Sequence, residues 1–179
     1  YFINKNNDIY SKWKKTFAKI NTPKIGIYWQ GSKNYMGDRY RSIPLNYFES
    51  LFEIRGVEYI NLQKGFGEEQ INTFKYKDRL HNFSSLVDNG ENAFEDTVEI
   101  IRNLDLVITP DTSIAHLSSS IGIKTWVLIP QYGLDWRWLL NKKQTLWYPK
   151  TKLFRQKKLN DWHNVINTIK GEIIKDLKK

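Results

Sequence analysis

From Asp105 to Gly122 the chain reads Asp-Leu-Val-Ile-Thr-Pro-Asp-Thr-Ser-Ile-Ala-His-Leu-Ser-Ser-Ser-Ile-Gly, and no other stretch limits the fold so tightly. Leu106 to Ile108 form an apolar run of the kind a buried strand needs. Pro110 lacks an N–H and stops that strand. Asp111, Thr112 and Ser113 are all favoured helix-start residues. Ile114, Leu117 and Ile121 then recur at helical spacing, and Gly122 stands where a C-cap glycine belongs. A strand that passes straight into a helix leaves the helix's unbonded N–H groups at the carboxyl edge of a sheet. In open α/β sheets that edge is where phosphates bind.

Two readings of Asp111-Thr112-Ser113 are open at this level. The turn can simply cap the helix, for which one such residue suffices. Three in a row favour a ligand. Asp111 is a poor phosphate ligand, because two anions repel; capping the helix or orienting the turn suits it better. Thr112 and Ser113 can offer hydroxyls and N–H groups. His116 lies ~200° around the helix from Ile114, outside the apolar stripe, and can face the rim of a site.

The rest of the chain repeats the strand–loop–helix order. Lys24 to Gln30 is a β-rich strand after Pro23. A polar loop from Gly31 to Ser42 follows. Pro44 fits a first helical turn, and Leu45, Phe48, Leu51 and Phe52 make the apolar face of a helix that Gly56 ends. Val57 to Leu62 is the next strand and Phe83 to Val87 a short one. Phe94, Val98, Ile101 and Leu104 mark a further helix, with Glu95 and Asp96 at its positive end. Lys124 to Ile129 is an apolar strand ending at Pro130. A loop carrying Trp136-Arg137-Trp138 and Trp147-Tyr148-Pro149 comes next, and Asp161 to Leu177 closes the chain as a helix. Apolar strands that do not alternate, separated by helices, predict an α/β fold: a Rossmann-like parallel sheet with helices on both faces. Residues 1–22 read as a connector with a helix over Ile9–Ile20 that docks on a domain spanning 23–179.

Composition narrows the function classes. The 179 residues carry a net charge of +9 and no cysteine, which excludes disulfides and thiolate metal sites. The positive charge suits an anionic ligand or peripheral contact with an anionic membrane surface. Nucleic acid is not expected, because the aromatics do not alternate as on a base-stacking strand and no nucleic-acid motif occurs. The N-terminus has no signal-peptide pattern and reads as the middle of a longer polypeptide. A cytoplasmic location, at the inner face of the membrane, is the expectation. Trp136 and Trp138, two positions apart, cannot share a helix face. One should anchor in the core and the other sit near a ligand; Trp136 is assigned to the ligand side.

Six stretches occur in an order that resembles a known family: Gly-Ile-Tyr-Trp-Gln-Gly from Gly26, Asp-Arg-Tyr-Arg-Ser-Ile-Pro-Leu from Asp38, Leu-Gln-Lys-Gly-Phe-Gly-Glu-Glu from Leu62, Asp-Thr-Ser-Ile-Ala-His-Leu from Asp111, Asp-Trp-Arg-Trp-Leu from Asp135, and Trp-Tyr-Pro-Lys-Thr-Lys-Leu-Phe-Arg-Gln from Trp147. Each is weak alone; together they cover nearly the whole domain. The chain is similar to the C-terminal, nucleotide-sugar-binding half of GT-B glycosyltransferases of the heptosyltransferase type (glycosyltransferase family nine), most of all to tetratricopeptide-linked members.

The resemblance implies roles. The Asp111-Thr112-Ser113 turn would hold the donor diphosphate. Arg41 would be the cation that touches the phosphates, with Arg39 as its alternate or a surface partner; a guanidinium can hold two phosphate oxygens at once. Glu68 or Glu69 would bind ribose hydroxyls. Gln30 and Gly31 would end the first strand against the donor, and His116 would lie near the site. No Asp-x-Asp motif occurs, so neither metal nor cofactor is expected, and fixed cations with helix N–H groups would stabilise the departing nucleoside diphosphate. The acceptor-binding N-terminal domain, which usually supplies the catalytic base, is missing from this chain. The implied activity is therefore transfer to a glycan, lipid or protein by a longer parent, with the isolated domain inactive. The alternative is an inactive nucleotide- or glycan-binding module of the same fold.

Overall fold

A computed structural model describes residues 7–91, 93–133 and 135–178. Six strands make one fully parallel sheet: β1 (Lys24–Ile27), β2 (Glu58–Asn61), β3 (Leu80–His81), β4 (Leu106–Pro110), β5 (Thr125–Ile129) and β6 (Thr151–Arg155). Their order is β3-β2-β1-β4-β5-β6. Among the described residues five helices are α-helical: α1 (Asn7–Phe17), α2 (Asp38–Arg41), α3 (Glu95–Arg102), α4 (Ser113–Ser120) and α5 (Trp162–Asp176).

Side chains alternate along each strand, and both faces of the sheet are covered. Ile25, Ile27, Leu106, Ile108, Trp126, Leu128 and Phe154 meet α5 and the Leu45–Glu53 segment on one face. On the other, Ile60 and Val107 pack under α1 and α3, while Val127, Ile129 and Leu153 pack with Ala115 of α4 and Trp138. Burying each such side chain is worth about 1.5–3 kcal/mol. Phe52 adds a stacked contact with Tyr59 at 4.2 Å and an edge-on one with Phe74 at 4.9 Å. Helix α1 docks through buried Trp13 and Phe17, and the Trp13 indole donates to Asp96 Oδ1 at 2.6 Å. Asp96 therefore ties α1 to α3 rather than merely facing a helix dipole.

Several local expectations need correction. The segment after Pro44 is a 3₁₀ helix over Leu45–Glu53, not an α-helix. Leu45, Phe48 and Leu51 recur every three residues, the 3₁₀ period. The third strand is Leu80–His81, not Phe83–Val87. Phe83 turns away to pack edge-on against Trp13 and Phe17, at 5.5 and 5.9 Å. Helix α1 covers Asn7–Phe17 of the described residues, so it includes two residues before Ile9 and stops three residues before Ile20. Residues 1–6 of the expected connector and the last residue of the 23–179 span lie outside the described residues. The edge strand β6 falls between Pro149 and Asp161, where the sequence pattern predicts no strand.

Candidate functional site

In the strand order 3-2-1-4-5-6 the chain turns one way after β1 and the other way after β4. The crevice between their carboxyl ends is the position where α/β sheets bind ligands. A cleft of 320 Å³ lies there, lined by Tyr28, Gly31, Arg41, Gln63, Lys64, Phe66, Thr112 and Ser113, among others.

The β4–α4 turn forms one wall. Thr112 is the N-cap residue in extended conformation, yet no side chain caps α4. The Thr112 hydroxyl instead lies 3.1 Å from the Thr109 hydroxyl and 3.3 Å from the Pro110 carbonyl. Asp111 does not cap the helix either. Its buried carboxylate faces His116 Nε2 at 3.8 Å. Burial pushes the Asp111 carboxyl up, against the opposing pull of the Trp138 indole N–H, His116 and Arg41. At the other end of α4, Gly122 adopts φ +80° and the Ile123 N–H bonds back to the Ser118 carbonyl, as a glycine C-cap requires.

Arg41 forms the opposite wall. Its Nη1 donates to the Asp111 carbonyl at 2.7 Å and its Nε to Asp38 Oδ1 at 3.1 Å. The Tyr35 ring lies under the guanidinium at 4.4 Å. Among the described residues Nη2 makes no hydrogen bond. Asp38 is buried and also accepts from Gln30 Nε2 and the Ser42 hydroxyl, both at 2.7 Å. Gly31 donates its N–H to Ser42 Oγ at 2.8 Å. A Cβ at Gly31 would overlap Asp38 Oδ1 and lie 2.9 Å from Arg41 Nη2. Glycine is needed here for the approach of the Asp38–Arg41 pair.

Gln63 holds the floor. Its Oε1 accepts from the backbone N–H groups of Trp29 and Gln30, and its Nε2 donates to the carbonyls of Gln30 and Phe66. Asn61 in turn accepts from the Gln63 N–H at 2.7 Å. Sequence reasoning missed Asn61, Gln63 and Asp38. Their signal was polar residues at the end of an apolar strand, and an acid three positions before Arg41. Lys64 adds a second cation, its ammonium bonded to the Asp88 carbonyl at 3.0 Å and to Asn89 at 2.9 Å.

The other expected site residues lie around the cleft. Gln30 braces Asp38 and Ser42. Arg39 bonds and stacks on Tyr40 and does not line the cleft. Glu68 accepts from the Gly65 N–H of its own loop and from the Ser84 hydroxyl beyond β3, and Glu69 accepts from the Gly67 N–H at 2.8 Å. His116 stacks on Trp138 at 4.9 Å and bonds Tyr148 at 3.2 Å, beside the cleft rather than in it. Burial holds its imidazole below the ordinary value. Trp138 is fully buried, whereas Trp136 is 64% exposed and packs edge-on against Trp147 at 5.2 Å. Trp136 does not line the cleft. Among the described residues no group of three His, Cys, Asp or Glu side chains is arranged to hold a metal ion.

A six-stranded parallel sheet in this order, with a cationic cleft at its switch point, defines an α/β Rossmann-like domain. Solved glycosyltransferases share it. E. coli ADP-heptose lps heptosyltransferase II matches with a TM-score of 0.60 over 96% of this chain and 53% of its own, at 14% identity. The glycosyl transferase family 9 protein of Veillonella parvula DSM 2008 gives 0.58 over 96% and 51%, at 12% identity. E. coli heptosyltransferase WaaC, solved with ADP-2-deoxy-2-fluoro heptose, gives 0.60 over 90% and 47%, at 9% identity. These neighbours have the fold that the sequence resemblance implies. Among curated proteins, FlbA of Caulobacter vibrioides is 22% identical over 158 residues, 88% of this chain and 26% of FlbA. The chain thus spans about half the length of the solved structures and about a quarter of FlbA. No protein-family model matches it.

Proposed function

We propose that the cleft binds the diphosphate of a nucleotide sugar, and that the chain is the donor-binding part of a glycosyltransferase. The carrying observation is the bond from Arg41 to the Asp111 carbonyl, which sets a guanidinium beside the uncapped start of α4. When the bond from sugar to diphosphate breaks, negative charge grows on the departing phosphate. Arg41 Nη2, the first N–H groups of α4 and the Ser113 hydroxyl would meet that charge, and Lys64 adds to the positive field. Fixed donors of this kind need no reorganisation during the reaction, which is the basis of their catalytic effect. The WaaC structure with an ADP-sugar analogue supports the reading by analogy of fold. An acceptor hydroxyl on a glycan, lipid or protein, and the base that deprotonates it, would come from outside these residues.

Calorimetry with ADP, UDP and GDP against the matching nucleosides tests the proposal. At least one diphosphate should bind tenfold or more tightly than its nucleoside. Equal binding across all three pairs would refute a diphosphate site.

One observation favours a second reading, a nucleotide- or glycan-binding module without turnover. Glu68 is bonded to Gly65 and Ser84 and Glu69 to Gly67, so a ribose would have to compete with these bonds for either carboxylate. Nucleotide binding without sugar transfer, measured on the longest polypeptide that carries this chain, would select it.

A further inference from the structure

A second feature lies away from the cleft. Between Asp135 and Asp161 the chain carries eight basic residues and no acidic one. Much of this segment runs beside the edge strand β6, where Gln144 pairs with Lys152 in an antiparallel bridge. There it borders an open groove of 1080 Å³ lined by Trp126, Lys142, Lys143, Leu146 and Lys150, among others. On its floor, Lys124 and Lys152 approach the Trp126 ring at 5.3 and 5.9 Å. These two lysines pair with Asp176 and Glu172 of α5, so the nearby acids are already neutralised. On its rim, Lys142, Lys143 and Lys150 are exposed and make no ion pair among the described residues. Beside them Leu146 is 84% exposed and Trp147 is 54% exposed, with Trp136 against Trp147.

We propose that the surface around Leu146 and Trp147 docks the protein on an anionic lipid bilayer. Basic residues beside exposed leucine and tryptophan are the composition of a peripheral membrane contact. The ammonium groups meet lipid phosphates, tryptophan sits at headgroup level, and the aliphatic chain enters the acyl boundary. Leu146 decides between a bilayer and single-stranded nucleic acid. A base stacks on an aromatic face and gains little from an exposed leucine, whereas hydrocarbon gains directly. The proposal does not depend on the donor site.

Vesicle co-sedimentation tests it, with mixed phosphatidylglycerol–phosphatidylcholine vesicles against pure phosphatidylcholine. The protein should sediment with the anionic vesicles only, less so as salt rises. A lysine at such a surface contributes about fivefold to partitioning. Lys142→Gln/Lys143→Gln/Lys150→Gln should therefore weaken binding by about a hundredfold. Leu146→Asn should weaken it by about tenfold at unchanged charge. All four positions are exposed, so an unchanged melting temperature checks that the variants fold. Absence of binding to anionic vesicles at low salt overturns the proposal, as does binding insensitive to the triple substitution. Tighter binding to a single-stranded RNA homopolymer, unaffected by Leu146→Asn, overturns it in favour of nucleic acid.

Discussion

Arg41 Nη1 donates to the main-chain carbonyl of Asp111 at 2.7 Å, joining residues 70 positions apart. The bond ties the loop after β1 to the turn after β4, the two segments that flank the switch point. With Nε committed to Asp38, only one edge of the guanidinium is left for a ligand.

Arg41→Ala should therefore weaken nucleoside-diphosphate binding at least tenfold, while nucleoside binding changes much less. A charge-assisted hydrogen bond of about 1.5–3 kcal/mol accounts for that factor. In a full-length enzyme the substitution should lower kcat more than it raises KM, because the charge Arg41 meets is largest in the transition state. Calorimetry on the ligand pair provides the check; equal losses would mean that Arg41 acts through loop structure alone.

Gly31→Ala should destabilise the fold by about 1–3 kcal/mol, the usual range for a forced overlap in a packed region. The new methyl would displace the Asp38 carboxylate and, through it, Arg41. Urea unfolding should show a lower midpoint with an unchanged slope. Diphosphate affinity should fall as well, since the guanidinium loses its anchor.

Strands β1, β4 and β5 were legible in the sequence as largely apolar runs bounded by Pro23, Pro110 and Pro130. Strand β2, which carries Glu58 and Asn61, was legible from Val57, Tyr59, Ile60 and Leu62 after Gly56. Helix α4 was legible from its start residues and Gly122. Strand β6 was not, because Lys152 and Arg155 interrupt Thr-Lys-Leu-Phe-Arg as they would a loop. An edge strand tolerates, and even favours, such charges. At the cleft, residue types carried the reading of Thr112-Ser113 and the family resemblance that of Arg41, and the fold brings the three to one crevice. They could not reveal that Glu68 bonds to Gly65 and Ser84 and Glu69 to Gly67, or that Gln63 supplies four hydrogen bonds to the floor. Those depend on loop conformation, which no periodicity encodes.

His116 gives the fold a dependence on pH. Burial lowers its pKa in the folded protein below the unfolded value of about 6.5. As pH falls through that range the unfolded chain takes up the proton first, so stability is complete above it and declines below it. His116→Gln should flatten that decline. Asp111 acts in the opposite sense: its raised pKa makes ionisation costlier in the folded state, so its contribution falls as pH rises from about 4. Asp111→Asn should remove that part. Because each group shifts the other's pKa, melting temperatures of these three proteins and of the double variant across mildly acidic pH separate the two effects from their coupling.

The tryptophans flanking Arg137 should differ sharply. Trp138→Ala should cost about 3–5 kcal/mol, since it empties a fully buried site and removes the surface on which His116 stacks. Trp136→Ala should stay within about 0.5 kcal/mol, as is usual for exposed positions. Chemical denaturation of both variants checks the contrast; comparable losses would mean that the Trp136–Trp147 contact is part of the core.

Gln63 offers the sharpest test of how the cleft floor is held. Gln63→Leu would leave two backbone N–H groups and two carbonyls without their partner. At about 1–3 kcal/mol for a buried unpaired group, partly relieved by water, a loss of about 3 kcal/mol is expected. Gln63→Glu is more informative. A protonated carboxyl still accepts from Trp29 and Gln30 and can donate once, to the carbonyl of Gln30 or Phe66. An ionised one donates nothing and faces both carbonyls from a buried position, which raises its folded pKa above the ordinary glutamate value. The folded variant thus binds a proton that the unfolded chain has released, and its stability falls as pH rises through the carboxylate range. Gln63→Glu should lie close to the parent protein at acid pH and fall well below it at neutral pH, with faster amide exchange at residues 64–67. A deficit independent of pH would show that the cost is one of packing and not of the lost donor.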